Sequence, residues 1–219
     1  MEFDPTWLLL GLPLAFGLGW LASRLDLRQL REENRRAPEH LLSRGDLSRT
    51  ARERAQHALA LDFLKAGLLD RAEDALRRLE GTPFEAQSRM ALLAIYERSR
   101  DWAQASDIAQ RMQAAQQGDF STRQAHYLCE QALPLAARGE LQAAQALLEQ
   151  AVATAPQAPR ARIEMARLQQ RMGRPDAALA TLQALADSAP AALALAAPLL
   201  VETALASGRA QQAGALLQQ

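Results

Sequence analysis

The pattern of apolar and polar positions divides the chain into an uninterrupted apolar run near its start and a long body in which small and bulky apolar residues recur at fixed intervals. Trp7 to Ala22 reads WLLLGLPLAFGLGWLA, sixteen residues without a charge. At ~1.5 Å per residue a helix of that length covers about 24 Å, short of a ~30 Å hydrocarbon layer unless Pro5 and Thr6 are included and the bilayer thins. Trp7 and Trp20 bracket the run at the places where interfacial aromatic residues sit. Glu2 and Asp4 precede it and basic residues follow it, the reverse of a secretory signal, so residues 1–22 are expected to form an uncleaved membrane anchor. Arg24, Arg28, Arg31, Arg35 and Arg36 crowd its C-terminal flank. The positive-inside rule then places residues 23–219 on the cytoplasmic side of the inner membrane. Residues 23–50 are expected to be an arginine-rich juxtamembrane linker, either a helix lying against anionic headgroups or a solvated one.

The body repeats itself. Gly67, Arg100, Gly139, Gly173 and Gly208 each stand five residues before an alanine, and those alanines fall at 72, 105, 144, 178 and 213. The intervals are 33, 39, 34 and 35 residues, with the extra length placed in the turn around Gln117 to Phe120. Twelve positions before each alanine lies a second small or apolar residue: Ala60, Leu93, Ala132, Ala166 and Val201. A period of 34 residues is that of the tetratricopeptide repeat, two antiparallel helices whose close crossing admits only alanine-sized side chains. Phe63, Tyr96 and Trp102 are expected to fill the space beside the crossings, and Gly67, Gly139, Gly173 and Gly208 to end the first helices. One helix pair cannot bury its own apolar stripe, so neighbours must stack.

The fold class expected is therefore all-α, a tetratricopeptide-repeat solenoid over residues 51–219 behind a single N-terminal transmembrane helix. The repeats fall approximately at 53–85, 86–120, 125–158, 159–192 and 194–219. Pro134 and Pro198 lie within expected first helices, where proline removes a backbone hydrogen bond. A kink at Pro134 and a late helix start near Pro198 follow. The last residues, Leu216-Leu217-Gln-Gln, end inside the second helix of repeat five, leaving an apolar end face that implies a truncated product or a docking partner.

Composition narrows the function. The 219 residues carry 25 basic and 25 acidic side chains, so no net field favours a polynucleotide, and no nucleic-acid partner is expected. With 49% apolar and 5% aromatic residues, the chain is rich in alanine and suited to close-packed helices. Cys129 is the only cysteine and the three histidines are scattered, so neither a disulfide nor a zinc site of ordinary spacing is available, and no cofactor or metal is expected. His126 and Cys129 share a helix face, but two further ligands are missing. No phosphate loop, serine-hydrolase elbow or zinc-protease motif is present, and enzymatic activity is not expected.

Binding is the better-supported class. In the repeat register, the side chains turned toward a groove lined by first helices are Arg54, His57, Leu61 and Lys65 in the first repeat and Gln87, Met90 and Glu97 in the second. His126, Cys129 and Leu133 follow in the third, and Arg160, Ile163, Arg167 and Arg171 in the fourth. The set is basic at both ends and apolar between, and arginine forks suit carboxylates, so an acidic segment of a partner protein is the expected ligand. The competing reading is that these arginines solvate an alanine-rich surface.

Several segments resemble a known family. The apolar run with its arginine-rich flank, Leu64-Lys-Ala-Gly-Leu-Leu-Asp-Arg-Ala-Glu73, Leu92-Leu-Ala-Ile-Tyr96 with Asp101-Trp102, and Ala125-His-Tyr-Leu-Cys-Glu130 together resemble the lipopolysaccharide assembly protein B (LapB) family. The resemblance covers the anchor and about residues 40–185. It implies an inner-membrane scaffold that limits lipopolysaccharide synthesis by helping the membrane protease FtsH degrade the deacetylase LpxC. His40 to Leu47 looks like the remnant of an additional repeat. The family's rubredoxin-like zinc module, with two Cys-x-x-Cys pairs, has no counterpart in this sequence, so zinc does not carry over. The alternatives are a repeat scaffold unrelated to lipopolysaccharide, cytoplasmic or periplasmic, and a metal-dependent regulator.

Overall fold

The computed structural model describes residues 48–217. The expected anchor, with Trp7, Trp20, Arg24 and Arg28, the linker and the segment His40 to Leu47 lie outside the described residues. Among the described residues all regular structure is helical, and none of the helices is long and apolar enough to cross a membrane. The chain divides into two compact units, one ending at Ser88 and the other beginning at Arg89.

In the first unit, α1 (Arg49–Lys65) and α2 (Leu69–Arg77) pack as an antiparallel pair. Ser48 caps α1 by accepting a bond from the Ala51 amide at 3.3 Å, satisfying one of the amides that a helix start leaves without a partner. Ala60 and Ala72, at the crossing, are completely buried. Phe63 fills the space beside them, with the Arg71 guanidinium 6.0 Å from its ring centre.

The second unit takes up α3 (Glu85–Ser99) from Arg89 onward. It continues with α4 (Trp102–Ala114), α5 (Ser121–Ala137), α6 (Leu141–Thr154), α7 (Pro159–Arg171) and α8 (Pro175–Ser188). A single turn α9 (Pro190–Leu193), a 3-10 turn at Ala194–Ala196, α10 (Ala197–Ala206) and α11 (Ala210–Leu217) complete it. The pairs α5/α6, α7/α8 and α10/α11 each pack together, and α6 against α7 joins one pair to the next. Among the described residues two apolar clusters contribute to its core, beside the buried side chains of α3 and α4 such as Leu93, Ile95 and Met112. One gathers Ala132, Ala144, Leu148 and Met165 with their neighbours from α5 to α7, and the other gathers Ala166, Ala178, Leu182 and Leu200 from α7 to α11.

The way each first helix ends explains the five-fold sequence motif. At every one of these ends the residue in the glycine position donates back three residues, and the next residue donates back five, from Leu68 to Phe63, Asp101 to Tyr96, Glu140 to Leu135, Arg174 to Gln169 and Arg209 to Ala204. This paired closure satisfies the last carbonyls and forces a left-handed residue between them. Gly67, Gly139, Gly173 and Gly208 take that conformation with φ of 75°, 84°, 70° and 68°. In the second repeat the same place is held by Arg100 at φ 57°, where a side chain is strained. Arg100→Gly is therefore expected to raise stability by up to about 1 kcal/mol, read as a higher urea midpoint; a lower midpoint would show that the arginine side chain offsets the strain.

Three details refine the sequence reading. Helix α5 runs on through Pro134 to Ala137, although proline has no amide to bond the carbonyl four residues back. The late helix start expected near Pro198 is present, at the beginning of α10, and ahead of it Pro190 opens a one-turn helix followed by the 3-10 turn. Val201 is not at the buried crossing. It is 43% exposed while Leu200 is 0%, because the longer interval between Ala178 and Ala213 moves the buried position back by one residue.

Candidate functional site

The densest grouping of polar chemistry in the second unit lies where α5 and α7 run side by side. The Arg160 guanidinium reaches from the first turn of α7 to α5, bonding His126 Nδ1 at 2.5 Å and Glu130 Oε1 at 2.5 Å. A guanidinium offers only donors, so His126 Nδ1 must accept and the ring proton sits on Nε2. Trp102, at the start of α4, meets the His126 ring edge-on at 5.6 Å and stacks on Tyr127 at 6.0 Å. The Tyr127 hydroxyl in turn donates to Glu97 on α3. A cavity of about 470 Å³ opens beside this group, with Ala125, Cys129, Pro159 and Ala161 as its apolar lining and Thr122, His126 and Arg160 as its polar part.

The titration of these groups follows from their surroundings. Burial, and after it the Arg160 charge, lower the His126 pKa below its usual 6.5, while Glu130 and Glu97 pull the other way. Burial pushes the Cys129 thiol up to about 11, so it remains a neutral, unreactive side chain. A histidine whose folded-state pKa is depressed leaves the unfolded chain holding more protons below neutrality, so stability falls as pH drops through about 6.5 and on toward the folded value. His57 acts in the same direction through burial. Unfolding midpoints followed from pH 7.5 to 5 are expected to decline, and to decline less in His126→Gln; parallel curves would remove His126 from the effect.

The residues selected from sequence have mixed fates. In the first unit Arg54 is exposed, Lys65 pairs with Asp62 at 3.6 Å, and His57 stacks on Phe84 at 5.2 Å with Nε2 buried and unbonded. In the second unit Met90 is 45% exposed, whereas Glu97 is engaged by Tyr127. Cys129 and Ile163 are corrections to a solvent-facing placement: both are buried, at 1% and 8%, since their positions on α5 and α7 tilt into the core. Cys129 still contributes to the cavity lining, and Ile163 packs with Ala166 and Leu179. Arg167 is exposed and paired with Glu164 at 3.1 Å on its own helix. Arg171 is exposed and donates to the Ala136 carbonyl at 2.7 Å, closing the end of α5 with a cation. Glu130 and Trp102 were not selected, although Glu130 stands 30 residues before Arg160, close to one repeat period.

Among the described residues no group of histidine, cysteine and carboxylate side chains converges as a metal site would. The polar atoms in the α5/α7 cluster are donors and acceptors bonded to one another, a structural tie between two repeats.

Residues 135–200 match the family model described as tetratricopeptide repeat. Lipopolysaccharide assembly protein B of Escherichia coli strain K12 is 32% identical over 149 residues, covering 68% of this chain and 38% of that protein. The chain is a LapB-like tetratricopeptide-repeat protein. The protein of the same name from Haemophilus influenzae strain Rd is 28% identical over 115 residues, 52% of this chain and 29% of its own length. The chain thus spans 38% or less of the length of these LapB relatives. Among solved structures, MamA aligns with a TM-score of 0.47 at 16% identity, over 76% of this chain and 88% of that one.

Proposed function

We propose that this protein is a non-enzymatic, membrane-anchored scaffold of the inner membrane whose repeats hold partner proteins on the cytoplasmic side and so regulate lipopolysaccharide biosynthesis. By its likeness to LapB, the partners are FtsH and LpxC, and the outcome is degradation of LpxC. The observation that supports this reading most is the 32% identity to LapB over 68% of the chain, on a repeat fold made for protein interaction. The charge-free run from Trp7 to Ala22 and the arginines after it supply the anchor and its orientation.

A second reading, a repeat scaffold serving a partner unrelated to lipopolysaccharide, draws support from the 38% coverage of LapB. A pull-down from solubilised membranes separates the two. The full-length chain is expected to recover FtsH and LpxC, and the form lacking residues 1–22 to lose FtsH. Recovery of neither protein by the full-length chain favours the second reading.

A further inference from the structure

Helices α5, α7 and α10 stand in one register through the 34-residue period. Ala132, Ala166 and Leu200 occupy the same buried place, with exposures of 1%, 0% and 0%. One position on, the period aligns Leu133, Arg167 and Val201; five positions on, it aligns Ala137, Arg171 and Leu205, and all six are exposed. Helix α5 packs directly on α7, and α7 shares a core cluster with α10 through Ile163, Ala166, Leu199 and Leu200.

Two rows therefore cross the three helices, and each reads apolar, cationic, apolar. Single exposed apolar residues need no explanation, but here they recur at matched positions on either side of an arginine. Leu133 is 38% exposed, Val201 43% and Leu205 63%. Arg167 spends one donor on Glu164, and Arg171 spends one on the Ala136 carbonyl. A guanidinium has five donors, so both keep outward-facing ones. Arg171, moreover, has no carboxylate partner among the described residues. A polynucleotide fits this face poorly, because one cation between apolar flanks cannot follow a continuous line of phosphates.

The spacing sets the form of the ligand. Packed helices such as α5 and α7 lie ~8–10 Å apart and an extended chain advances ~3.3 Å per residue, so that step corresponds to about three residues, and the 34-residue period repeats the step toward α10. We propose that this face binds an extended protein segment of the form apolar-x-x-(Asp or Glu)-x-x-apolar. Its carboxylate meets the Arg167/Arg171 pair on α7, one apolar residue rests at Leu133 on α5 and the other at Val201 and Leu205 on α10. The inference rests on the reading that the repeats hold a partner protein, and it names the chemistry of the segment held.

The test selects random twelve-residue segments displayed on phage against the full chain, the double variant Arg167→Glu with Arg171→Glu, and the double variant Val201→Ser with Leu205→Ser. All four substituted residues are exposed, so unchanged melting temperatures confirm that each variant folds. The full chain is expected to enrich the stated pattern. The charge-reversed variant should bind those segments at least tenfold more weakly and enrich a central Lys or Arg instead. The serine variant should keep the central acid and lose the preference for one apolar flank. Enrichment of another pattern, or binding indifferent to both variants, overturns the inference and leaves the scaffold reading standing. Absence of any enriched segment, with partner capture intact in the pull-down, also overturns it and moves the partner to another surface. Failure of both experiments overturns it too, and removes the reading in which the repeats hold FtsH and LpxC.

Discussion

Replacing Tyr127 by alanine is expected to destabilise the second unit by about 3–5 kcal/mol, the range for removing a large buried aromatic side chain. Tyr127 is 1% exposed and joins three helices: it sits on α5, stacks on Trp102 of α4 and donates its hydroxyl to Glu97 of α3. Truncation leaves a cavity between the second and third repeats and takes the donor from a carboxylate, and the two losses add. Burial first, then the bond to and charge of Glu97, raise the phenol's pKa far above its usual value, so it stays a neutral donor wherever the protein is folded. Tyr127→Phe keeps the stack and loses only the hydroxyl, with an expected cost of about 1 kcal/mol. Urea unfolding of both variants reads the two contributions separately. A loss below about 1 kcal/mol for the alanine variant would mean that the neighbouring repeats do not depend on this side chain.

Ala144→Leu should be the next most damaging. Ala144 is 0% exposed at the crossing of α5 and α6, within the cluster that includes Ala132, Ala136 and Leu148. Three added carbons have no space there, and overpacking of this kind costs about 1–3 kcal/mol, more where the helices must separate. Ala143, its exposed neighbour on the same turn, is the control, and Ala143→Leu should stay within about 0.5 kcal/mol of the parent. Equal midpoints for the two leucine variants would contradict the close-crossing account of the repeat. The same argument applies at Ala72, Ala105 and Ala178, each also 0% exposed.

Those alanines were legible in the sequence because a steric requirement that recurs at a fixed interval leaves a mark no single position could. The left-handed closures at Gly67, Gly139, Gly173 and Gly208 were legible for a similar reason, since few other residues adopt that conformation cheaply. Arg100 shows the limit, as it takes the same conformation without the expected residue. Repeat five differs by one position at Val201, because counting back twelve from Ala213 carries the one extra residue of the 35-residue interval into α10, whereas Leu200 keeps the 34-residue register of Ala132 and Ala166. At the candidate site, sequence placed His126 and Arg160 on facing helices but not in each other's grasp. Their bond depends on the offset between repeats and on rotamers, neither of which periodicity encodes. Cys129 and Ile163 are buried because a helix face has no sharp edge, and positions beside its outer stripe already belong to the core.

The most direct test of the scaffold account is the half-life of LpxC in cells depleted of this protein, compared with cells in which the full-length chain has been restored. The account predicts that depletion lengthens the half-life and that restoration shortens it again, while the form lacking residues 1–22 restores nothing. An LpxC half-life indifferent to depletion would contradict the account and reassign the repeats to a different partner.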